Sequence, residues 1–316
     1  MIDPKGFNEI MPINIIVPFV REHLAEASLT NEQKLLINPL AYGFSLGDKT
    51  WGAFAVSRLE EVSWNESLAE SVVLSEQRKT FIRSLVKHYS APERTGCLDD
   101  FVRDKGKGLI GLLAGPPGVG KTLTAEMVAE IAHRPLYTMT AVELGDSPAS
   151  VQKHLMTVFE LAERWKAVVL LDEADVFLTA RGDSLSSNAI TSIFLRHLEY
   201  YQGILLLTTN RLTSLDDAFK SRIHFAFEFD ELSEEARETI WRRFLARAHV
   251  DLGKDGFAKL SKIRLNGRQI KNIANISHAV AQESNKTITV ESIMLTMDFT
   301  NVTWEKACTS DQQCDE

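Results

Sequence analysis

The run Gly115-Pro116-Pro117-Gly118-Val119-Gly120-Lys121-Thr122 has the residue types and spacing of a phosphate cradle, G-x-x-x-x-G-K-[ST]. Each part has a physical task. The glycines let the backbone curl until successive N–H groups point inward at phosphate oxygens. A helix opening near Lys121, with Leu123 in its first turn, adds the partial positive charge of a helix N-terminus. Lys121 is placed to reach β- and γ-phosphates, and the Thr122 hydroxyl to ligate Mg²⁺.

A second constellation is Val168-Val169-Leu170-Leu171-Asp172-Glu173, an apolar strand ending in two carboxylates. Asp172 would hold the metal shell, and Glu173 would orient and polarise a water for attack on a γ-phosphate. Alone, such a pair is commonly a solvated strand end. Lying 51 residues beyond Lys121 in one alternating pattern, it reads as the catalytic pair. A third strand, from Ile204, ends Thr208-Thr209-Asn210. An amide at that tip can hydrogen-bond the attacking water or the γ-phosphate, although Asn also starts turns.

Positioning these groups requires a parallel α/β sheet. From Leu109 onward, short apolar runs at 109–113, 136–139, 168–171, 204–207 and 225–229 alternate with longer amphipathic stretches such as Leu123, Met127 and Ile131. After Asp230 the strands stop: Ser233 caps a helix through about Ala248, and another runs from about Arg268 to Gln282. Ahead of the sheet, Tyr42, Phe44 and Leu46, then Gly47-Asp48, then the stretch from Trp51 read as a hairpin. Ser75 reads as the cap of a helix carrying Phe81, Ile82, Leu85, Val86 and Tyr89. Residues 1–30 show no period, and 90–107 are loop-like. The expected fold is a P-loop α/β sheet with a C-terminal helical lid and a small α+β N-terminal region. The expected division is 1–104 for that region, 105–230 for the core, 231–300 for the lid and 301–316 for a tail.

Composition bounds the rest. The 316 residues are 44% hydrophobic and 25% charged, which excludes a mostly disordered chain. A net charge of −8 provides no whole-molecule field for nucleic acid or anionic membrane. Cys97, Cys308 and Cys314 fit neither a disulfide framework nor a zinc site and point to a reducing compartment. No run approaches the roughly 20 apolar residues of a membrane span, and residues 10–20 lack the flank and cleavage site of a signal peptide. An intracellular, cytoplasmic location is therefore expected. The letters Asp172-Glu173-Ala174-Asp175 spell the motif of DEAD-box helicases, but only one phosphate loop is present and the charge is negative, so they read as coincidence.

Over roughly residues 105–300 the chain resembles the AAA+ ATPases, and within them a fungal group with one AAA module behind a poorly described N-terminal region. The resemblance implies that 115–122 is Walker A, that Asp172 and Glu173 belong to Walker B, and that Asn210 is sensor 1. It implies ATP and Mg²⁺ as the ligands. Arg222, in Phe219-Lys220-Ser221-Arg222-Ile223, takes the arginine-finger position, reaching the nucleotide of a neighbouring subunit; Phe219 stands where many relatives have a second arginine. Arg268, in Gly267-Arg268-Gln269, takes the sensor 2 position.

The resemblance further implies a homo-oligomer, a hexamer in most of the family, that works on a protein client through loops in a central pore. The stretch from Leu144 to Ser147 resembles the pore motif, yet the aromatic residue that usually precedes it is missing and the loop is shortened. The polar segment 179–188 is a second candidate for a pore-facing loop, although it reads more simply as a surface loop. Three outputs stay open: remodelling of a protein client recognised through residues 1–100, a nucleic-acid motor or loader, and a nucleotide-gated scaffold with little turnover. For the second, Arg237, Arg242, Arg243 and Arg247 share one lid helix, a run that reads as a solvated face. Against the third stand Lys121, Asp172, Glu173, Asn210 and Arg222 together.

Overall fold

A computed structural model describes residues 1–11, 38–65, 68–90, 106–178, 185–210 and 216–300. The three cysteines, most of the loop before the sheet, segment 179–184 and the tail lie outside the described residues.

Five parallel strands form the central sheet: β3 (Leu109–Ala114), β4 (Leu136–Thr140), β5 (Val168–Asp172), β6 (Ile204–Thr209) and β7 (Phe225–Glu228). Their spatial order is β4-β5-β6-β3-β7. Burial follows from that order. The central strands β3 and β6 are buried at every position, and β5 until Asp172, because helices cover both faces. The edge strands β4 and β7 alternate with period two.

The pleat sends alternate residues to two separate cores. Ile110, Leu112, Val169, Leu171, Leu205 and Leu207 pack with Leu155 and Phe159 of the helix Pro148–Trp165 and Phe194 of the helix Leu185–Tyr200. Leu109, Val168, Leu170, Ile204 and Leu206 pack on the opposite face with Met127 and Val128 of the helix Lys121–Ala132. Ile82 and Val86 of the helix Glu76–Ser90 join that second core, so the helix read behind Ser75 is built into one face of the sheet.

The hairpin read around Gly47-Asp48 is present as β1 (Leu40–Ser45) and β2 (Thr50–Ala55), paired antiparallel. Phe44 stacks on Tyr137 of β4 and tilts against Trp165, which ties the hairpin to the sheet. The opening residues, without period in the sequence, contain a short helix, Pro4–Ile10. Seven residues are too few to show a repeat, and tertiary contacts hold the helix: the Trp165 indole donates to Asp3 Oδ2 at 2.9 Å and Arg164 pairs with Glu9 at 2.5 Å.

Behind the sheet, the helices Glu234–Arg247, Gly253–Ser261, Gly267–Glu283 and Val290–Phe299 form their own core around Trp241, Leu260, Ile270, Ile273 and Ile293. Each fully buried aliphatic side chain there contributes about 1.5–3 kcal/mol relative to exposure. Ser233 caps the first of these helices, as its sequence suggests.

Candidate functional site

The cradle sits between the C-terminal end of β3 and the helix Lys121–Ala132. Gly120 occupies the N-cap position at φ 108°, a left-handed backbone that favours glycine. It provides no capping side chain, so the first amides of the helix are left to face a ligand. Gly118 is held for a second reason: a Cβ there would come within 2.7 Å of the Asn266 side chain.

Lys121 is only 8% exposed, and its ammonium curls back over the loop. It donates to the carbonyls of Gly115 at 2.6 Å and Pro116 at 2.8 Å, and to Asn210 Oδ1 at 2.8 Å. Burial pushes its pKa down, and the carboxylates of Asp172 and Asp175 work against that shift. Three neutral acceptors in place of an anion describe a lysine ready to exchange them for phosphate oxygens. Val119 is turned the other way, packing with Leu113 and Phe229, so its side chain anchors the loop while the backbone faces the cleft.

Opposite the cradle, β5 ends in Asp172, whose Oδ2 accepts from the Thr122 hydroxyl at 3.3 Å. A hydroxyl and a carboxylate are hard oxygen donors, the kind that hold Mg²⁺ together with phosphate oxygens. This donor set therefore fits the metal that the sequence motif implies. Glu173 follows with φ 56°, a left-handed turn that directs its carboxylate into the same cleft. Asn210 sits just past the neighbouring strand, and its backbone N–H donates to Asp175 Oδ1 at 3.2 Å.

One cleft of about 490 Å³ unites these groups. It is lined by Pro117 to Leu123 on the loop side, by Asp172, Glu173 and Asn210 on the strand tips, and by Arg268 on the C-terminal helices. Gly115 and Pro116 lie behind the lining and serve as acceptors for Lys121. The helix bearing Arg268 starts with a reciprocal capping box between Asn266 and Gln269, and its Gly267 amide donates to the Gly118 carbonyl at 2.8 Å.

Arg222 is not part of this lining. Its guanidinium pairs with Glu199 Oε1 at 2.5 Å and donates to the Ala218 carbonyl at 2.7 Å, while its Nε is buried without a hydrogen-bond partner among the described residues. The stretch from Leu144 to Ser147 is a tight connection rather than an extended loop. Gly145 ends the helix Ala141–Leu144 at φ 97°, and Ser147 caps the next helix. Val142 in that short helix is 88% exposed, and its neighbour Glu143 pairs with Lys49 of the hairpin turn.

The arginine run on the helix Glu234–Arg247 is not a uniform solvated face. Arg237 is buried, donating to the carbonyls of Ser261 at 2.7 Å and Leu232 at 2.5 Å. Arg242 lies over the Phe257 ring and bonds Glu238, whereas Arg243 and Arg247 border the cleft. At 3.6 residues per turn positions 243 and 247 share one face, whereas 237 and 242 point elsewhere, which is why one label cannot cover all four.

Other groups in the cleft carry no sequence motif. Leu68, Val73, Ile240 and Phe244 add apolar side chains to its lining. Glu126, with its carboxyl pushed up by burial, faces Lys271. Thr208 and Asp175 were visible only as letters beside the motifs; their roles depend on β5 lying next to β6, which spacing does not reveal.

Residues 111–231 match the AAA family, described as the ATPase family associated with various cellular activities. The chain is 31% identical over 157 residues to human ATPase family gene 2 protein homolog B, covering 45% of this chain and 21% of that protein. It is 28% identical over 211 residues to spastin of Drosophila persimilis, covering 61% and 25%, and 32% identical over 174 residues to Arabidopsis thaliana ATPase family AAA domain-containing protein FIGL1, covering 52% and 24%. The chain thus spans about a quarter or less of these three relatives. The crystal structure of the FIGL-1 AAA domain in complex with ADP superposes with a TM-score of 0.59 at 19% identity, over 82% of this chain and 94% of that one, a likeness of fold. No helix among the described residues is long and apolar enough to cross a membrane.

Proposed function

We propose that, in a chain whose residues 111–231 match the AAA family, the cleft binds ATP with Mg²⁺, hydrolyses it, and uses the cycle to remodel a protein client within a homo-oligomer. The observation that carries this reading is the convergence of Lys121, Thr122, Asp172, Glu173 and Asn210 on one cleft.

Lys121 and the loop amides bind the β- and γ-phosphates, and Asn210 takes the polar contact that Lys121 releases. Thr122 and Asp172 hold Mg²⁺, which when bound neutralises charge on the phosphate oxygens. Glu173 orients the attacking water and accepts its proton at a carboxylate oxygen. The apolar side chains of the lining, Leu68, Val73, Ile240 and Phe244, are suited to contact the base of the nucleotide. Arg268 senses the γ-phosphate and transmits its presence to the C-terminal helices, which already grip the loop through the Gly267–Gly118 bond. That group of helices, residues 231–300, acts as the lid of a core at 105–230, and residues 1–104 contact the client. Arg222, outside its own cleft, serves the cleft of a neighbouring subunit in a ring, with the hexamer as the family's usual form.

The exposed Val142, with no aromatic residue beside it, argues for client handling other than ring-stacked threading. Phosphate release measured alone, with single-stranded DNA and with an unfolded protein tests the reading. Mg²⁺-dependent release stimulated by the protein supports it, stimulation by DNA alone favours the nucleic-acid motor, and no release under any condition overturns it.

A further inference from the structure

Thr208 is 1% exposed, yet it borders the cleft two residues before Asn210. Its hydroxyl donates to Asp172 Oδ1 and accepts the Glu173 amide at 2.9 Å. Its carbonyl accepts the Ala174 amide, also at 2.9 Å. One residue of β6 therefore holds three consecutive residues at the tip of β5.

The consequence for each carboxylate is specific. With Oδ1 of Asp172 occupied by the Thr208 hydroxyl, Oδ2 is the oxygen left toward Thr122, 3.3 Å away. Glu173 sits at φ 56°, where a residue with a Cβ is disfavoured, and the bond from its amide to Thr208 is what fixes that turn. A hydroxyl is suited to this double task because it donates and accepts at one atom. Valine matches its shape and can do neither.

We propose that Thr208 is a positioning residue of the hydrolytic site: its hydroxyl aims Asp172 Oδ2 at the metal position and, through the Glu173 amide, sets where the water-polarising carboxylate stands. This rests on the reading of the cleft as an Mg²⁺–ATP hydrolase. Groups that orient ligands in this way are commonly worth about 10–100-fold in metal affinity or activity.

The test compares Thr208→Val and Thr208→Ser with the wild-type protein in three measurements: kcat and KM for phosphate release, ADP affinity in EDTA, and the gain in ADP affinity on adding Mg²⁺. Thr208→Val should lower kcat by about 10–100-fold and lower the Mg²⁺-dependent gain about 10-fold, with ADP affinity in EDTA within about twofold of wild type. Thr208→Ser, which keeps the hydroxyl, should stay within about threefold of wild type in all three. Wild-type kcat and an undiminished Mg²⁺ gain in Thr208→Val would overturn the proposal. So would a loss in Thr208→Ser equal to that in Thr208→Val, or a fall in EDTA affinity as large as the fall in rate. If the wild-type protein releases no phosphate, the hydrolase reading is what fails, and the Mg²⁺ gain still decides whether Thr208 aims Asp172.

Discussion

Lys121 Nζ donates to Asn210 Oδ1 at 2.8 Å, so the two side chains proposed to meet the γ-phosphate from either side are bonded to each other across the mouth of the cradle. The remaining bonds of the ammonium go to the loop's own carbonyls. Binding of a triphosphate would therefore exchange neutral partners for anionic ones.

Removing that ammonium should leave the cradle's amides in place but without their counter-charge. Lys121→Ala is expected to weaken ATP by about 100-fold or more, since charge-assisted bonds contribute about 1.5–3 kcal/mol each. Calorimetric titration checks this, and unchanged affinity would remove Lys121 from the site.

Arg222 makes a different demand. Its guanidinium pairs with Glu199 within one chain, with both side chains one-quarter exposed, and it does not line its own cleft. Arg222→Ala should lose about 10³-fold or more in turnover, the lower end of what arginine fingers supply in GTPases. Mixing it with Lys121→Ala should restore activity, because a Lys121→Ala subunit still offers Arg222 to a neighbour that binds nucleotide. Absence of rescue would count against a site shared between subunits. A melting curve of the single variant separates this from loss of the Glu199 pair.

These residues also show what a linear chain reveals. The uninterrupted apolar runs of β3, β5 and β6 were legible because central parallel strands are buried on both faces and carry no polar face. The cradle was legible because its function is local, within eight consecutive residues. Thr208 was not, since its partners Asp172 and Glu173 are 36 and 35 positions away and meet it only through strand adjacency. Arg243 and Arg247 were grouped with Arg237 and Arg242 by composition, whereas rotation along the helix sends one pair to the cleft and Arg237 into the interior. The helix Pro4–Ile10 is too short to carry a period and depends on Trp165 and Arg164, more than 150 positions on.

His224 supplies a pH dependence. Its Nδ1 accepts the Ile110 amide at 3.0 Å, which only an unprotonated nitrogen can do, and burial holds its pKa below the ordinary 6.5. The unfolded chain therefore takes up a proton at higher pH than the folded one. The stability contribution is unaffected well above 6.5 and falls as pH drops from 6.5 towards the folded value. Urea unfolding at a series of pH values should show a shallower acid-side decline in His224→Gln than in wild type. Parallel declines would mean that His224 titrates alike in both states.

The central claim is that Glu173 polarises the hydrolytic water while Lys121, Thr122 and Asp172 hold the nucleotide. Phosphate release and ATP affinity, measured together for wild type and Glu173→Gln, address it most directly. The account requires ATP affinity close to wild type with turnover lower by about 100-fold or more, the usual worth of a positioned general base. Turnover at the wild-type rate in Glu173→Gln, with ATP bound, would contradict it.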